Sequence, residues 1–354
     1  MKEVPLNLRD LTLEELEAFL EGLGEAPFRG RQVFRWLVRP EVEDFSQMTD
    51  LPKSLRKRLS QESTIELPRL LEHRFSTDGT AKLAVGLRDG EVVECVLIPE
   101  RDHYTLCLST QVGCAMGCRF CLTGRMGFRR NLFPGEIVSQ VLLARRFMQE
   151  FGLEDKPLRN LVFMGMGEPL ANYRHLVKAL KILTHPQGFH FARKRTTVST
   201  VGLVPQIRAL AEEYPVALAI SLHAPENELR ARLIPTTRRY PLEEILSACR
   251  AYPLKRGARL TIEYVLLEGI NDHPWQARRL AEILRDLPVK INLIPFNPHP
   301  DLPFRRPPEA RIQRFQQILL SEGFVATVRK SKGLDIGAAC GQLRAELTLS
   351  QNSA

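Results

Sequence analysis

A chain of 354 residues, of which 44% are hydrophobic, is long enough for one large domain with an appendage or for two domains, and it supports a sizeable core. The first residues lack the apolar run of a signal peptide and no stretch approaches the ~20 apolar residues of a membrane span, so we expect a soluble cytoplasmic protein. The net charge of +9 suggests a polyanionic partner. The positive charge lies mainly beyond residue 70, where Lys and Arg outnumber Asp and Glu by 39 to 28.

Residues 1–68 are predicted to form a small helical module. Apolar residues recur at helical spacing in three segments, 11–23, 29–38 and 52–61. Thr12 and Glu15 stand at the positions of a capping box for the first helix. Three basic residues recur at helical spacing in the second segment and just after it, namely Arg31, Arg35 and Arg39. Such a basic stripe suits phosphate groups, although a solvated helix face is the commoner explanation.

In residues 69–99 the hydrophobic pattern changes to the period of two that is typical of β-strands. These residues are predicted to form a short β extension that leads into the core. Turns are expected at Asp78-Gly79 and Asp89-Gly90. Glu94 is the one charge inside the apolar run VVECVLIP. A partly desolvated carboxylate with a raised pKa would be suited to accept a proton, and a simple ion pair with an arginine is the alternative.

From residue 100 the pattern repeats as strand then helix, so we predict an α/β fold with a partial (β/α)6 barrel over residues 100–333. The predicted strands are 105–110, 160–165, 195–200, 216–222, 259–266 and 289–295. The predicted helices are 134–150, 172–184, 203–213, 242–252, 274–286 and 308–322. Parallel strands of this kind place chemistry at their carboxyl ends. Six units instead of eight leave a lateral opening for a large substrate, and residues 334–354 form a separate C-terminal segment.

Three cysteines in a C-x3-C-x2-C spacing follow the first strand of this core: Cys114, Cys118 and Cys121. The intervening turns are too short for an unstrained disulfide, and three thiolates on one loop suit a soft metal or an iron–sulfur cluster. A [4Fe–4S] cluster usually has four cysteine ligands, so three would leave one iron open. A zinc site with a fourth ligand elsewhere is the alternative, but the histidines show no ligand-like pairing.

Small and polar residues stand at the ends of the following strands. They are Gly167, Glu168, Ser199, Ser221, Leu222, His223 and Asn297. Each is by itself as often a turn residue as a ligand. Glycine allows a close approach of the backbone to a ligand, and the carboxylate can accept from an ammonium group. Because they share one edge of a sheet, we expect them to line a common site.

Two further cysteines stand apart from this loop. Cys340 lies in DIGAACGQL, where small neighbours would leave its sulfur accessible. Cys107 lies on the first core strand and shares a face with Thr105 and Ser109, which is expected to line the barrel lumen. A lone cysteine is usually a small buried hydrophobe, and this alternative holds for both.

Together these motifs resemble the RlmN/Cfr family of radical S-adenosylmethionine (SAM) RNA methyltransferases. The resemblance rests on FRGRQVFRWL, the cysteine loop, GMGEP, SLHAP, PFNP and AACGQL, and it covers nearly the whole chain. It implies a [4Fe–4S] cluster held by the three loop cysteines. It also implies SAM contacts from the strand-end residues, with two SAM molecules used per turnover.

The resemblance also implies a reaction at carbon 2 of adenine. Cys340 accepts a methyl group, and a 5′-deoxyadenosyl radical then removes a hydrogen from it, so that the resulting carbon radical adds to the base. Glu94 corresponds to the proton acceptor, and Cys107 corresponds to the cysteine that resolves the protein–RNA adduct through a transient disulfide with Cys340. The adenine must leave its stack to reach a buried radical, so the expected substrate is a loop or an unpaired base.

The implied partners are 23S ribosomal RNA in its peptidyl-transferase loop, tRNA in its anticodon loop, and a flavodoxin-type electron donor. The helical module would dock the RNA, no membrane is involved, and a monomer is expected. The alternatives are a Cfr-like methyltransferase acting on carbon 8, a non-enzymatic RNA-binding or ribosome-assembly protein with a structural metal, and a radical enzyme that acts on a small molecule.

Overall fold

The computed structural model describes residues 5–344. Its strands are β1 (Leu6–Asn7), β2 (Ser63–Thr64), β3 (Arg69–Phe75), β4 (Ala81–Gly86), β5 (Val92–Pro99), β6 (Tyr104–Cys107), β7 (Gln111–Gly113), β8 (Phe128–Asn131), β9 (Leu158–Phe163), β10 (Thr196–Thr200), β11 (Ala217–Ser221), β12 (Leu260–Leu266), β13 (Val289–Pro295) and β14 (Val325–Val328). Its α-helices are α1 (Leu13–Gly22), α2 (Phe28–Leu37), α3 (Lys53–Glu62), α4 (Leu122–Arg125), α5 (Pro134–Glu150), α6 (Tyr173–Thr184), α7 (Val204–Glu213), α8 (Asn227–Leu233), α9 (Leu242–Arg250), α10 (Pro274–Leu284) and α11 (Glu309–Ser321).

The N-terminal helices α1, α2 and α3 form where the hydrophobic periodicity predicts them. The predicted capping box of α1 is confirmed, because Thr12 and Glu15 each accept from the other's backbone N–H. The module packs on helices of the core. The Gly135 N–H at the start of α5 donates to Asp10 at 2.7 Å, and the ring of Phe34 lies 5.1 Å from that of His185.

A ten-stranded sheet forms the core, with the strand order β14-β13-β12-β11-β10-β9-β6-β5-β4-β3. Seven neighbouring strands of this sheet are parallel: β6, β9, β10, β11, β12, β13 and β14. The strands β5, β4 and β3 continue the same sheet in antiparallel fashion. The two predicted turns of the extension connect these strands, with Gly79 at φ +81° and Gly90 at φ +86°. The predicted α/β barrel fold is confirmed, with its six predicted strands in the expected order.

Five strands and α-helices of the core lie outside the prediction, namely β7, β8, α4, α8 and β14. β14 adds a seventh parallel strand at the sheet edge, but its four residues are too short and too exposed to give a strand signal. The hairpin of β7 and β8 follows β6, and the short helix α8 follows β11. No helix within residues 5–344 is both long and apolar enough to cross a membrane.

The segment after β14 crosses from one edge of the sheet to the other. Gly333 donates to Asp78 at 3.1 Å, and Asp335 accepts from the Thr77 N–H at 3.0 Å, so the segment begins against the turn between β3 and β4. It reaches β5 where the Arg344 N–H donates to Glu94 Oε2 at 2.8 Å. The remainder of the predicted C-terminal segment, residues 345–354, lies outside the described residues, as do residues 1–4.

Candidate active site

A pocket opens at the carboxyl ends of the parallel strands. It contains about 960 Å³ of empty space including solvent at its mouth, which is enough for a ligand the size of a nucleoside. Of the residues predicted for the site, those that line this pocket are Cys114, Cys118, Cys121, Gly167, Glu168, Ser199, Ser221, His223, Asn297 and Cys340. Leu222, Cys107 and Glu94 do not line it. The fold thus brings together most of the predicted residues from six separate segments of the chain.

The cysteine loop follows the first core strand and is fixed at both ends by backbone hydrogen bonds. The Cys114 N–H donates to the Gly127 carbonyl at 3.0 Å, and the Leu122 N–H donates to the Gly341 carbonyl at 2.8 Å. The loop can turn sharply because Gly113 has φ +72°, and a Cβ there would lie 1.8 Å from the Gly127 oxygen. The second of these bonds joins the cysteine loop directly to the segment that carries Cys340.

The three loop thiols fit an iron–sulfur cluster. All three are free thiols that line the pocket. Burial is the main cause that raises the pKa of Cys114 and of Cys118, and the nearby charge of Cys121 raises both further. Within the described part of the chain, no three His, Cys, Asp or Glu side chains converge closely enough to hold a single metal ion. A [4Fe–4S] cluster instead offers each thiolate its own iron.

Glu168 is a buried carboxylate at the end of β9. Its Oε1 accepts from the Leu170 N–H at 3.0 Å and its Oε2 from the Val201 N–H at 2.9 Å. Burial raises the pKa of Glu168 to about 7, while these N–H groups oppose the rise. The adjacent Gly167 has φ +101°, and a Cβ there would lie 2.5 Å from that of Gln111, so only glycine fits. The carboxylate is therefore held in place for a cationic ligand group.

The hydroxyl groups of Ser199 and Ser221 and the imidazole of His223 face the pocket from β10, β11 and the turn after β11. His223 takes the left-handed conformation, with φ +61°, and its Nδ1 accepts from the Val265 N–H at 3.0 Å. The other ring nitrogen, Nε2, therefore carries the proton and can donate to a ligand. Burial, with the nearby charge of Arg230, lowers the pKa of His223 to about 3. The Leu222 side chain is fully buried in the core, so it offers the pocket no contact.

Arg230 supports this wall of the pocket, and the sequence analysis missed it. Its side chain is fully buried and donates to the carbonyl oxygens of Leu222 at 2.9 Å and Ser221 at 3.0 Å, to that of Val201, and to the Thr237 hydroxyl. It thereby fixes the ends of β10 and β11 relative to each other. An arginine inside the polar stretch NELRARL gives no sequence signal for such a role.

Asn297 connects β13 to the C-terminal segment. Its Nδ2 donates to the Cys340 carbonyl at 3.3 Å, and its Oδ1 accepts from Ser331 at 2.5 Å. Cys340 itself is exposed, as its small neighbours predict. In this structure the amide of Asn297 therefore orients the segment that carries Cys340. A contact of Asn297 with SAM stays a prediction.

Cys107 and Glu94 lie on one face of neighbouring strands. Cys107 pairs with Val96 across β5 and β6, and Glu94 stands two residues before Val96. Burial, together with the charge of Cys340, raises the pKa of Cys107 to about 12. Glu94 is buried and forms an ion pair with Lys82 at 3.0 Å. The predicted burial of this carboxylate is thus found, but its cationic neighbour is a lysine and not one of the arginines.

Comparisons with known proteins agree with this geometry. A family model described as the ribosomal RNA large subunit methyltransferase N-terminal domain matches residues 6–65, and the radical SAM superfamily model matches residues 108–281. The chain is 53% identical to a dual-specificity RNA methyltransferase RlmN of Solidesulfovibrio magneticus, with 96% of this chain and 97% of the relative covered. It is 52% identical to the protein of the same description from Anaeromyxobacter dehalogenans, over 96% of this chain and 92% of that one.

A solved structure is similar over almost the whole chain. It is a radical SAM methyltransferase from Sphaerobacter thermophilus, which is 48% identical and superposes with a TM-score of 0.90 over 97% of this chain and 100% of that one. The similarity therefore extends from the N-terminal module through the barrel to the segment after β14.

Proposed function

Because the chain belongs to the RlmN family of radical SAM methyltransferases, we propose that it methylates carbon 2 of an adenosine in 23S ribosomal RNA and in tRNA. The observation that carries this proposal is the position of Cys340, which lines the same pocket as the three loop cysteines. Carbon 2 lies between two ring nitrogens and is electron-poor, so it cannot attack the methyl group of SAM directly. A cysteine that carries the methyl group to the base removes this difficulty.

Cys114, Cys118 and Cys121 would hold the [4Fe–4S] cluster, and the carboxylate of Glu168 would accept from the ammonium group of SAM. When bound, the cluster and SAM supply a reducing electron and a radical that can remove a hydrogen atom from a methyl group. The hydroxyls of Ser199 and Ser221, the Nε2–H of His223, the Asn297 amide, and the backbone of Gly167 and Leu222 complete the proposed SAM contacts. Glu168, Ser199, His223 and Asn297 are buried, which would exclude water from a ligand bound among them.

The thiolate of Cys340, which is exposed at the pocket, attacks the methyl group of one SAM and becomes S-methylated, with S-adenosylhomocysteine as the leaving group. After the methyl carbon has added to the adenine, the proton on carbon 2 passes to the carboxylate of Glu94, and the unpaired electron left on the base would return to the cluster. Before that step, the ammonium group of Lys82 stabilises the negative charge of this carboxylate. Cys107 then attacks the sulfur of Cys340, and a Cys107–Cys340 disulfide forms. The bond between that sulfur and the added carbon breaks, and the carbon keeps the electron pair of this bond and takes up the proton released by the Cys107 thiol, so that it becomes the methyl group.

Methylation of Cys340 tests the proposal without any RNA. After anaerobic reconstitution of the cluster and incubation with SAM, peptide mass spectrometry should find one added methyl group on Cys340. An unmodified Cys340 in a protein with an intact cluster and bound SAM would refute the cysteine-carrier mechanism.

The resolving role of Cys107 has a separate test. The variant Cys107→Ala should accumulate protein crosslinked to RNA, because the bond between Cys340 and the base is no longer broken. Cys249→Ala is the matched control, since Cys249 is also buried but lies on the outer helix α9. Release of free methylated RNA by Cys107→Ala at the wild-type rate would contradict the role.

The proposal also includes the cellular location and oligomeric state of the protein, its electron donor and the roles of its regions. We infer a monomer in the cytoplasm that receives electrons from a flavodoxin-type donor. We infer the following domain organisation: an RNA-docking module in residues 1–68, a β extension in 69–99, a radical SAM core in 100–333 and a methyl-accepting segment in 334–354.

A further inference from the structure

Two opposite charges face the pocket without pairing to each other. Glu263 on β12 is buried, with only 4% of its surface exposed. Its Oε1 accepts from Asn292 at 3.0 Å, whereas its Oε2 has no hydrogen-bond partner. Arg329, half-buried after β14, lines the same pocket. Within residues 5–344 neither side chain forms an ion pair. A buried carboxylate oxygen without a donor is unfavourable, and a ligand that donates a hydrogen bond to it would remove this cost.

The sheet register places these side chains on one face of the sheet, with β13 between them. Glu263 pairs with Asn292, and Asn292 pairs with Thr327 on β14. Arg329 stands two residues beyond Thr327 and therefore on the same face, and its N–H continues the ladder by donating to the Leu293 carbonyl at 2.8 Å. Glu263 and Arg329 both line the pocket that Cys340 also lines.

Arg329 lies between Cys340 and Glu263 along the direction of the strands. Glu263 is level with Asn292 and Thr327, Arg329 follows two residues after Thr327, and Cys340 lies beyond the strand ends, where Asn297 donates to its carbonyl at 3.3 Å. The charges of Cys340 and Glu263 both raise the pKa of Arg329, that of Cys340 more strongly, which agrees with this order. The order along the pocket wall is therefore sulfur, guanidinium, carboxylate.

We propose that Arg329 and Glu263 bind the Watson–Crick edge of the target adenine, with Arg329 donating to N1 and Glu263 Oε2 accepting from the 6-amino group. This inference rests on the proposed function. The order sulfur, guanidinium, carboxylate matches carbon 2, N1 and the 6-amino group along that edge of the base. A carboxylate that lacks a donor partner selects an amino group and repels the carbonyl oxygen that guanine carries at the same position.

The test compares three RNA hairpins that differ only at the target nucleotide: adenosine, purine riboside without the 6-amino group, and 1-deazaadenosine without N1. For the wild-type holoenzyme we expect kcat/KM to fall about 10- to 100-fold on each analogue, as for a lost hydrogen bond to a charged group. The variant Glu263→Ala should accept adenosine and purine riboside within about 3-fold of each other, while still rejecting 1-deazaadenosine. The variant Arg329→Met should still reject purine riboside, and its loss of kcat/KM on 1-deazaadenosine relative to adenosine should be about 10-fold smaller than that of the wild-type enzyme. The loss that remains on 1-deazaadenosine comes from the changed reactivity of carbon 2, which has only one neighbouring ring nitrogen in this analogue.

The ratio of kcat/KM values between the hairpins distinguishes base recognition from a structural role, because a structural defect would lower kcat/KM on all three hairpins equally. An equal loss in Glu263→Ala, or a wild-type enzyme indifferent to the 6-amino group, would overturn the inference. Glu263→Gln keeps the size of the side chain and the bond to Asn292, so it repeats the test if the alanine variant fails to fold. It should also lose the preference for the amino group. A wild-type enzyme that methylates none of the hairpins would instead refute the proposed function itself.

Discussion

Arg230 shows how a single buried residue can shape a site that it does not line. Its guanidinium is desolvated, and within the described residues it forms no ion pair and is stabilised by backbone carbonyl groups and one hydroxyl. Burial lowers the pKa of Arg230 to about 10, so the side chain remains charged at neutral pH. Removing it would take a charged donor from three carbonyl oxygens at the point where β10 and β11 meet the pocket, and of these the Leu222 oxygen would keep only the Ala224 N–H.

We therefore expect Arg230→Met to lower the free energy of unfolding by about 3 kcal/mol or more, because buried acceptors lose a charged donor. SAM binding should weaken with it. Arg232→Met is the matched control, since Arg232 lies on the same helix but is exposed. Urea unfolding of both variants measures the effect, and equal stabilities for the two would contradict the role of Arg230.

His223 makes stability depend on pH. Burial lowers the pKa of His223 to about 3 from its usual 6.5, so the native state keeps a neutral imidazole, whereas the unfolded chain binds a proton below pH 6.5. The stabilising contribution is therefore complete above pH 6.5 and is lost as the pH falls below it, at about 1.4 kcal/mol per pH unit.

The variant His223→Asn should remove this dependence, because asparagine tolerates the left-handed backbone and does not titrate. Urea unfolding at pH 7.5 and pH 5.5 should show a larger loss of stability for the wild-type protein than for the variant. Equal losses on acidification would mean that the imidazole becomes charged in the native state.

Whether a site residue can be predicted from the sequence depends on whether its pattern lies within a few neighbouring positions. Cys114, Cys118 and Cys121 stand within eight positions of one another, so their spacing alone predicts a metal site. Glu168 is identified by its neighbouring glycines. Glu263 and Arg230 carry no such pattern, because their partners come from other strands and their roles appear only once the sheet register is known.

At the scale of elements, the N-terminal module presents its basic stripe to solvent. Arg31, Arg35 and Arg39 are exposed on α2 and just after it, while Val33 and Phe34 face the core. Glu17 pairs with Arg31, and Arg39 lies over the ring of Trp36 at 4.0 Å. The module is not an independent body, because Asp10 and Phe34 attach it to the core helices. Phosphates bound on α2 would therefore be held in a fixed relation to the barrel.

Exchange of these three arginines for glutamate should weaken tRNA binding at least 10-fold at 0.1 M salt. It should reduce the dependence of log Kd on log salt concentration by about 2, since each lost phosphate contact removes ~0.7. Methylation of Cys340 by SAM alone should persist. Glutamates at Arg278, Arg279 and Arg285, all exposed at α10, serve as the control. Loss of both RNA binding and Cys340 methylation would indicate misfolding.

For the molecule as a whole, the repeat of strand and helix predicted the order of the barrel, because each unit is a continuous pattern of ten or more residues. The edge strand β14 was missed since four residues carry too little periodicity. The antiparallel strands were predicted, but not their place in the same sheet, which depends on pairing between β5 and β6. Long-range pairing of this kind has no local signature.

The described part of the segment that bears Cys340 is attached at its start, by Gly333 and Asp335 at the β3–β4 turn, and at Arg344, whose N–H donates to Glu94. Between these points the carbonyl groups of Cys340 and Gly341 accept from Asn297 and Leu122, so the backbone next to the sulfur is also held. With this backbone fixed, rotation about the Cα–Cβ bond of Cys340 is the main movement left to the sulfur. The methyl donor, the base and Cys107 would therefore have to be reached in turn by rotation of this one side chain.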